Sequence, residues 1–140
     1  MPRPRRPPPL QARSPPPRAL FPPAQQGQIR QQLALSLHAI VCQHLLPRAS
    51  GEGRVPAVEI LIPDDAVRNL IRQGKLEQIY TNMQTGSGKG MQTMEQSLTE
   101  LVQKKLITVS EAIGRSGRPE ALLSALERAG IPIQVLSNEA

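Results

Sequence analysis

A glycine-rich stretch, Thr85–Gly90 (TGSGKG), has the composition of a phosphate-binding loop. Such a loop needs a glycine, four further residues, and then Gly-Lys followed by Ser or Thr, because backbone N–H groups hold the phosphates and the hydroxyl binds magnesium. Counting from Gly88 places Met83 at the first glycine position and Gly90 at the hydroxyl position. Helical rather than strand residues precede the stretch. The sequence therefore predicts a helix–helix loop here and no nucleotide site.

A possible metal site is suggested by the two histidines and the single cysteine, His38, Cys42 and His44. His38 and Cys42 are spaced to share one face of a helix, but His44 is out of phase with them and no acidic residue is near. Zinc needs three or four convergent ligands. These residues are therefore predicted to pack or to lie at the surface, and no metal site is predicted. No nucleophile elbow or catalytic triad is recognisable either, so no catalytic residue is predicted.

The positive charge is concentrated at the N-terminal end. The 140 residues carry a net charge of +6, and residues 1–20 hold five arginines, eight prolines and no acid. The other residues are nearly neutral and include one phenylalanine and one tyrosine, too few aromatic rings for base stacking, so no specific nucleic-acid partner is predicted. Residues 1–20 are predicted to form a disordered or polyproline-like tail. A ligand for a proline-binding domain or an anionic surface is the functional alternative.

Compartment is indicated by three features of the sequence. One cysteine cannot form an internal disulfide, which suits a reducing environment. No run of roughly 18 apolar residues predicts a membrane helix. The N-terminal arginines are not followed by the apolar region of a secretory signal. A cytoplasmic protein is therefore expected.

The first predicted elements are a helix and a hairpin. The helix starts at Gln25, and its apolar residues recur at helical spacing: Ile29, Leu33, Leu37, Ile40 and Val41. The run Val41–Leu46 leaves open an exit into a strand. Val55–Ile62 is predicted to be a strand with Val58, Ile60 and Ile62 on one side and Glu59 and Leu61 on the other. Ser50–Gly53 is the predicted turn.

From Pro63 onward the pattern predicts helices. Asp64 and Asp65 cap the first, which ends near Gly74. A second covers Leu76–Met83, and Gly86–Gly90 is a flexible break. The third has an apolar face of Met91, Met94, Leu98, Leu101 and Val102.

Two short helices are predicted to follow. Thr108–Glu111 has the form of a capping box for a helix that ends by Gly117, and Pro119 begins the last helix, which ends at Gly130. Ile131–Leu136 is predicted to be a short strand or tail. The predicted fold class is mainly α with one β-hairpin, the helices after Pro63 forming a small bundle.

Five ordered segments of the chain resemble a single family. They are Phe21–Arg30, Leu33–Arg48, Gly53–Leu61, Ala66–Lys75 and Gln84–Gln96. The family is that of the PilT-like type IV pilus retraction ATPases, within the wider group of secretion and pilus-assembly ATPases. The resemblance covers about residues 21–115. Pro63–Asp65 and Glu95 depart from the family pattern, where Asn-Thr-Pro and an aspartate are usual.

The resemblance implies the C-terminal portion of a RecA-like α/β ATPase domain, residues 21–62, followed by a C-terminal helical bundle, residues 63–140. It implies a hexameric motor that uses ATP and Mg²⁺ to retract a type IV pilus, at the cytoplasmic side of the inner-membrane base, beside platform proteins. The family's nucleotide-binding motifs precede the matching segments, so no cofactor is assigned to these residues. One motif is associated with retraction and partners: Ala66, Val67, Arg68, Asn69, Leu70 and Ile71.

Three interpretations of the whole chain follow. The first is a fragment of the retraction motor, inactive in ATP hydrolysis by itself. The second is a non-catalytic interaction module that joins or regulates a pilus or secretion ATPase ring, or a fragment of a general secretion pathway ATPase. The third is an independent ATPase, which the missing phosphate-binding loop argues against. The abrupt change of character near Phe21 predicts a truncated or misassigned reading frame, which sequencing of the upstream DNA would test. Within the motif, replacing Leu70 is expected to cost folding stability if the residue is buried, by roughly 2–5 kcal/mol. Replacing Arg68 is expected to leave folding intact and to affect only partner function.

Overall fold

The computed structural model describes residues 21–132, so the predicted tail at residues 1–20 and residues 133–136 of the predicted strand or tail Ile131–Leu136 lie outside this range. Six α-helices and one two-stranded sheet follow one another in the described range, in agreement with the predicted class. The elements are α1 (Pro23–Ser36), β1 (Ile40–Pro47), β2 (Arg54–Leu61), α2 (Asp65–Gln73), α3 (Ile79–Thr85), α4 (Met94–Gln103), α5 (Val109–Arg115) and α6 (Pro119–Arg128). Short 3₁₀ turns at Leu76–Gln78 and Ser87–Lys89 flank α3.

Helix α1 is shorter than predicted. It ends at Ser36, where the hydroxyl donates to the carbonyl of Gln32 at 2.8 Å, and Leu37 is extended. The chain then enters β1 at Ile40, so the prediction that helical periodicity continues to Val41 is wrong. Pairing with β2 over eight residues outweighs the local helical spacing in this segment. His38 and Cys42 consequently share no helical face.

The predicted hairpin is present. β1 and β2 pair antiparallel from Ile40 opposite Leu61 to Pro47 opposite Arg54. Gly51 and Gly53 have φ of 82° and 77° in the turn, a conformation that residues with a Cβ rarely adopt. The split of β2 into two faces is confirmed, and the buried side is the one that includes Leu61 and Glu59. Glu59 is accommodated there because one carboxylate oxygen accepts from the N–H of Met94, at the start of α4, at 3.2 Å.

The two edges of the hairpin differ. On the outer side of β2, Ile60 exchanges two backbone hydrogen bonds with Gln92, of 2.8 and 2.9 Å. The N–H of Val58 donates to the Ser97 hydroxyl at 3.0 Å, and its carbonyl accepts from the Gln92 side chain at 2.6 Å. Pro56, two residues earlier, has no N–H to offer. The outer edge of β2 is therefore closed, whereas β1 pairs with β2 alone within residues 21–132.

The helix ends follow the predicted capping signals, except that the capping box predicted for α5 is found at α4. Asp64 caps α2 by accepting from Val67 N–H at 2.9 Å, Gly74 ends it with φ of 71°, and Pro119 opens α6. At α5, Thr108 accepts from Glu111 N–H at 3.2 Å, but in the described range Glu111 returns no bond. The reciprocal capping box is instead at the start of α4, between Thr93 and Gln96.

Two clusters of buried residues hold these elements. The large core joins the hairpin to α4, α5 and α6 and consists of Leu46, Val55, Ala57, Met94, Leu98, Leu101, Val102, Ile107, Ala112, Leu122 and Leu126. The small core joins α1, α2 and α3 and consists of Ala34, Leu61, Val67, Ile71, Met83 and Met91. Both cores take residues from each side of residue 62. The domain division at that point remains a prediction.

Candidate interaction site

The predicted motif occupies most of α2 and divides into inward and outward residues. Val67 is fully buried and Ile71 nearly so, and both belong to the small core. Leu70 is half-buried, at the border between the core and the surface, so the larger folding cost expected for a buried leucine does not apply to it in full. Ala66 and Asn69 are exposed. The helical repeat thus places one stripe of the motif in the core and the opposite stripe at the surface.

Arg68 connects α2 to α1. One guanidinium nitrogen donates to the carbonyl of Ala34, a buried residue in the last turns of α1. Arginine at this position holds the two helices together by a charge-assisted hydrogen bond. The contact gives Arg68 a structural role that its predicted partner function did not include.

The glycine-rich loop is fastened to the start of α2. The Lys89 ammonium group lies 2.7 Å from a carboxylate oxygen of Asp64. The hydrogen bond from Lys89, with that from Val67 N–H, holds the pKa of Asp64 below its ordinary value. Helix α3 leads into the loop, so the predicted helix–helix connection is confirmed. Asp64 therefore serves at once as helix cap and as partner of the loop's lysine.

A surface groove runs between α2 and α3 beside the motif. Its volume is about 380 Å³. No lining residue is charged, and four carry carboxamides: the groove is lined by Ala66, Asn69, Leu70, Gln73, Gln78, Thr81 and Asn82. We call it the amide groove. It includes three residues of the predicted motif, which makes it the concave surface through which the motif meets solvent.

A buried carboxyl group joins the two halves of the described chain and was not found from the sequence. Glu95 on α4 is only 4% exposed. Its two carboxyl oxygens accept from the Tyr80 hydroxyl on α3 at 3.1 Å and from the Ser116 hydroxyl after α5 at 2.9 Å. The Arg118 guanidinium lies 3.8 Å from the centre of the Tyr80 ring. Burial, followed by the neighbouring Glu95, raises the pKa of Tyr80.

The outer strand β1 carries an apolar surface. Val41 is 62% exposed and Leu45 is 49% exposed, and they lie on the face of the hairpin opposite the buried Leu46. Leu33 and Leu35 of α1 are exposed as well. A two-stranded sheet with apolar residues on both faces is typical of strands covered on both sides in layered α/β proteins. We call Val41, Leu45 and the unpaired edge of β1 the open strand surface.

The remaining sequence candidates are not brought together as a site. Cys42 is exposed on β1, as is His44, and His38 lies in the segment before that strand. The described residues contain no group of three or more His, Cys, Asp or Glu side chains placed to hold a metal ion. None of the helices described is long and apolar enough to cross a bilayer.

Comparison with known proteins relates this architecture to pilus motors. No protein-family model matches the chain. The chain is 45% identical over 103 residues to the twitching motility protein of Neisseria gonorrhoeae, covering 74% of this chain and 28% of that protein. It is 41% identical over 101 residues to the type IV pilus retraction ATPase PilT of Pseudomonas aeruginosa, covering 72% and 29%.

A solved structure agrees with these relatives. The crystal structure of the pilus retraction motor PilT with bound ADP aligns at a TM-score of 0.67 and 44% identity, over 76% of this chain and 29% of that one. The chain thus spans less than a third of the length of the relatives that it matches. It belongs to the family of type IV pilus retraction ATPases and corresponds to a C-terminal part of those proteins.

Proposed function

We propose that this chain supplies the C-terminal part of a hexameric motor that retracts a type IV pilus. In this proposal the nucleotide-binding part of a RecA-like domain binds ATP and Mg²⁺, and the described helices transmit or receive the resulting movement. The motor acts in the cytoplasm at the inner-membrane base of the pilus, against platform proteins. By itself the chain is expected to hydrolyse no ATP.

The open strand surface carries this proposal. Its apolar residues and unpaired backbone groups need cover, because an exposed strand edge promotes aggregation unless another strand pairs with it. On the other side of the hairpin, Gln92 and Ser97 already satisfy backbone groups at the outer edge of β2. The relatives have more than twice as much additional chain as the part matched here. A strand from that additional part is the proposed cover.

Residues Ala66–Ile71 are proposed to be the partner motif. Val67 and Ile71 anchor α2 in the small core, and Arg68 anchors it to α1. This leaves Ala66, Asn69 and Leu70 to face a partner from a fixed helix. A rigid backbone under an exposed motif favours binding, since little conformational entropy is lost on association.

Co-purification tests the proposal. A truncated form of the Neisseria gonorrhoeae relative, lacking the segment that this chain matches, is co-expressed with the full 140-residue chain. We expect the two to elute together, and ATP hydrolysis by the pair to exceed that of either alone. Leu45→Glu on β1 should abolish co-elution because it places a charge on an apolar interface. Ser124→Glu, an exposed residue of α6, is the matched control.

A second candidate, a non-catalytic module that joins a complete ring, is favoured by the same exposed strand. It predicts that the chain binds the intact relative and lowers its ATP turnover. Binding to the truncated relative with restored turnover would support the motor part. Binding only to the intact relative would support the module, and binding to neither would contradict both.

A further inference from the structure

The amide groove has a chemistry that suits one kind of partner. Carboxamide side chains each offer two donors and one acceptor, the same groups that a peptide backbone presents. In the described range, the carboxamides of Asn69, Gln73, Gln78 and Asn82 make no hydrogen bond to another protein group. Their hydrogen-bonding capacity is therefore directed to solvent or to a ligand.

The absence of charge from the lining narrows the class of ligand. Phosphates and lipid headgroups are usually bound by Arg and Lys, and no residue of either type lines the groove. A helical partner already satisfies its own backbone groups and would leave four carboxamides with little to bond. An extended segment instead presents unpaired N–H and C=O groups at about 3.3 Å per residue. The groove volume of about 380 Å³ lies within the range of roughly 300–1,000 Å³ that binding clefts occupy.

We propose that the amide groove binds an extended, uncharged peptide segment of a partner protein through its main-chain amides. Leu70 is the largest apolar residue lining the groove, and the carboxamides of α2, of the 3₁₀ turn and of α3 would bond the segment. The inference rests on the partner role proposed above for Ala66–Ile71 and names the chemistry of that partner. Small polar or aliphatic side chains suit a shallow groove of this lining, whereas acidic or basic ones would find no counter-charge.

The test uses the full ¹⁵N-labelled chain and a capped peptide of alternating serine and valine, at up to roughly 5 mM, which detects millimolar dissociation constants. Side-chain NH₂ signals of asparagine and glutamine are observed directly by NMR. We expect the signals of Asn69, Gln73 and Asn82 to move on titration and that of Gln103, an exposed carboxamide at the end of α4, to stay. A peptide methylated on every valine nitrogen should bind at least about fivefold more weakly, because it lacks those donors.

Variants extend the test. Gln73→Glu keeps the size and an acceptor but removes the donors, and should weaken binding about fivefold. Gln103→Glu is the matched control and should bind like the wild type. Equal binding of the methylated peptide or equal effects of the two variants would overturn the proposal, as would signal changes confined to the backbone of β1. Loss of co-elution with the truncated relative would count against the motor proposal alone, since that assay depends on the open strand surface.

Discussion

The large core and the small core are built from different residues. The large core contains four fully buried leucines and draws on the hairpin, α4, α5 and α6. The small core contains alanine, valine, isoleucine and two methionines, and its buried residues include no leucine other than Leu61. Leucine fills space with well-defined rotamers, whereas methionine adapts to irregular gaps. The large core therefore fixes the hairpin, α4, α5 and α6 relative to one another, whereas α2 packs on the smaller number of buried side chains in the small core.

The two proposed interaction surfaces lie beside different cores. The amide groove borders the small core, whereas the open strand surface lies on the hairpin, which contributes Leu46, Val55 and Ala57 to the large core. Segments with few buried apolar contacts open at lower free energy than segments in a main core. We infer that the amide groove lies on the more easily opened part of the described chain and that the open strand surface lies on the more rigid part.

The largest effect is expected in the large core. Leu98 is fully buried on α4, and Leu98→Ala should lower the free energy of unfolding by about 2–5 kcal/mol, because it removes apolar contacts and leaves a cavity. Urea unfolding followed by circular dichroism measures the change. Leu35→Ala, at an exposed site on α1, should change it by less than about 0.5 kcal/mol. Equal effects of the two changes would contradict the placement of Leu98 in a well-packed core.

The glycine loop tests the packing of the small core. A Cβ at Gly86 would lie 2.9 Å from the carbonyl oxygen of Asn82 and would meet the Met91 side chain, so Gly86→Ala should cost about 1–3 kcal/mol. A Cβ at Gly88 has no atom within 4 Å, and Gly88→Ala should be neutral or stabilise by up to about 1 kcal/mol. Thermal unfolding distinguishes the two. A stabilising Gly86→Ala would show that the small core has room to spare at this point.

The hydrogen bond between Tyr80 and Glu95, which connects the two cores, should contribute less to the free energy of unfolding than either core does. Tyr80→Phe removes the donor to Glu95 and should cost about 1–2 kcal/mol. Because the pKa of Tyr80 is raised in the folded chain, the unfolded chain ionises first as pH rises above 10.0, and stability should fall there. Tyr80→Phe should remove that alkaline loss. Alkaline titration of unfolding in both proteins checks the prediction, and an unchanged alkaline limb would assign the loss to other groups.

The smallest effect should come from the ion pair at α2. The pKa of Asp64 is lowered, so its contribution is present above its ordinary value of 3.8 and is lost as pH falls below that value. Lys89→Met should lower the free energy of unfolding above pH 3.8 and reduce its loss on acidification, because it removes the main cause of the lowered pKa. Lys104→Met, which breaks the exposed pair with Glu100, is the control and should leave the acid limb in place. A larger effect of Lys104→Met than of Lys89→Met would show that Asp64 acts mainly as a helix cap.

Local signals account for the parts of the fold that the sequence predicted. Asp64, Gly74 and Pro119 act through local backbone geometry, and the hairpin turn needs glycines at defined positions. Each of these signals can therefore be recognised from the local sequence alone. The end of α1 was missed because strand pairing, a long-range effect, overrides helical spacing at Ile40.

The candidate site was predicted only in part. The motif on α2 was identified by resemblance, but which residues face the surface depends on α1 and α3. The burial of Glu95 depends on Tyr80 and Ser116, fifteen and twenty-one residues away in the sequence. The one available signal was that Tyr80 is the sole tyrosine of the chain.

The closed edge of β2 limits what the hairpin can form. A sheet with two free edges can add strands without end, which is how fibrils grow. Here growth is possible at β1 alone, because Gln92 and Ser97 occupy the other side. If two copies pair through β1, the resulting four-stranded sheet has no free edge left. Association through the hairpin therefore stops at a defined stoichiometry, even when the intended partner strand is absent.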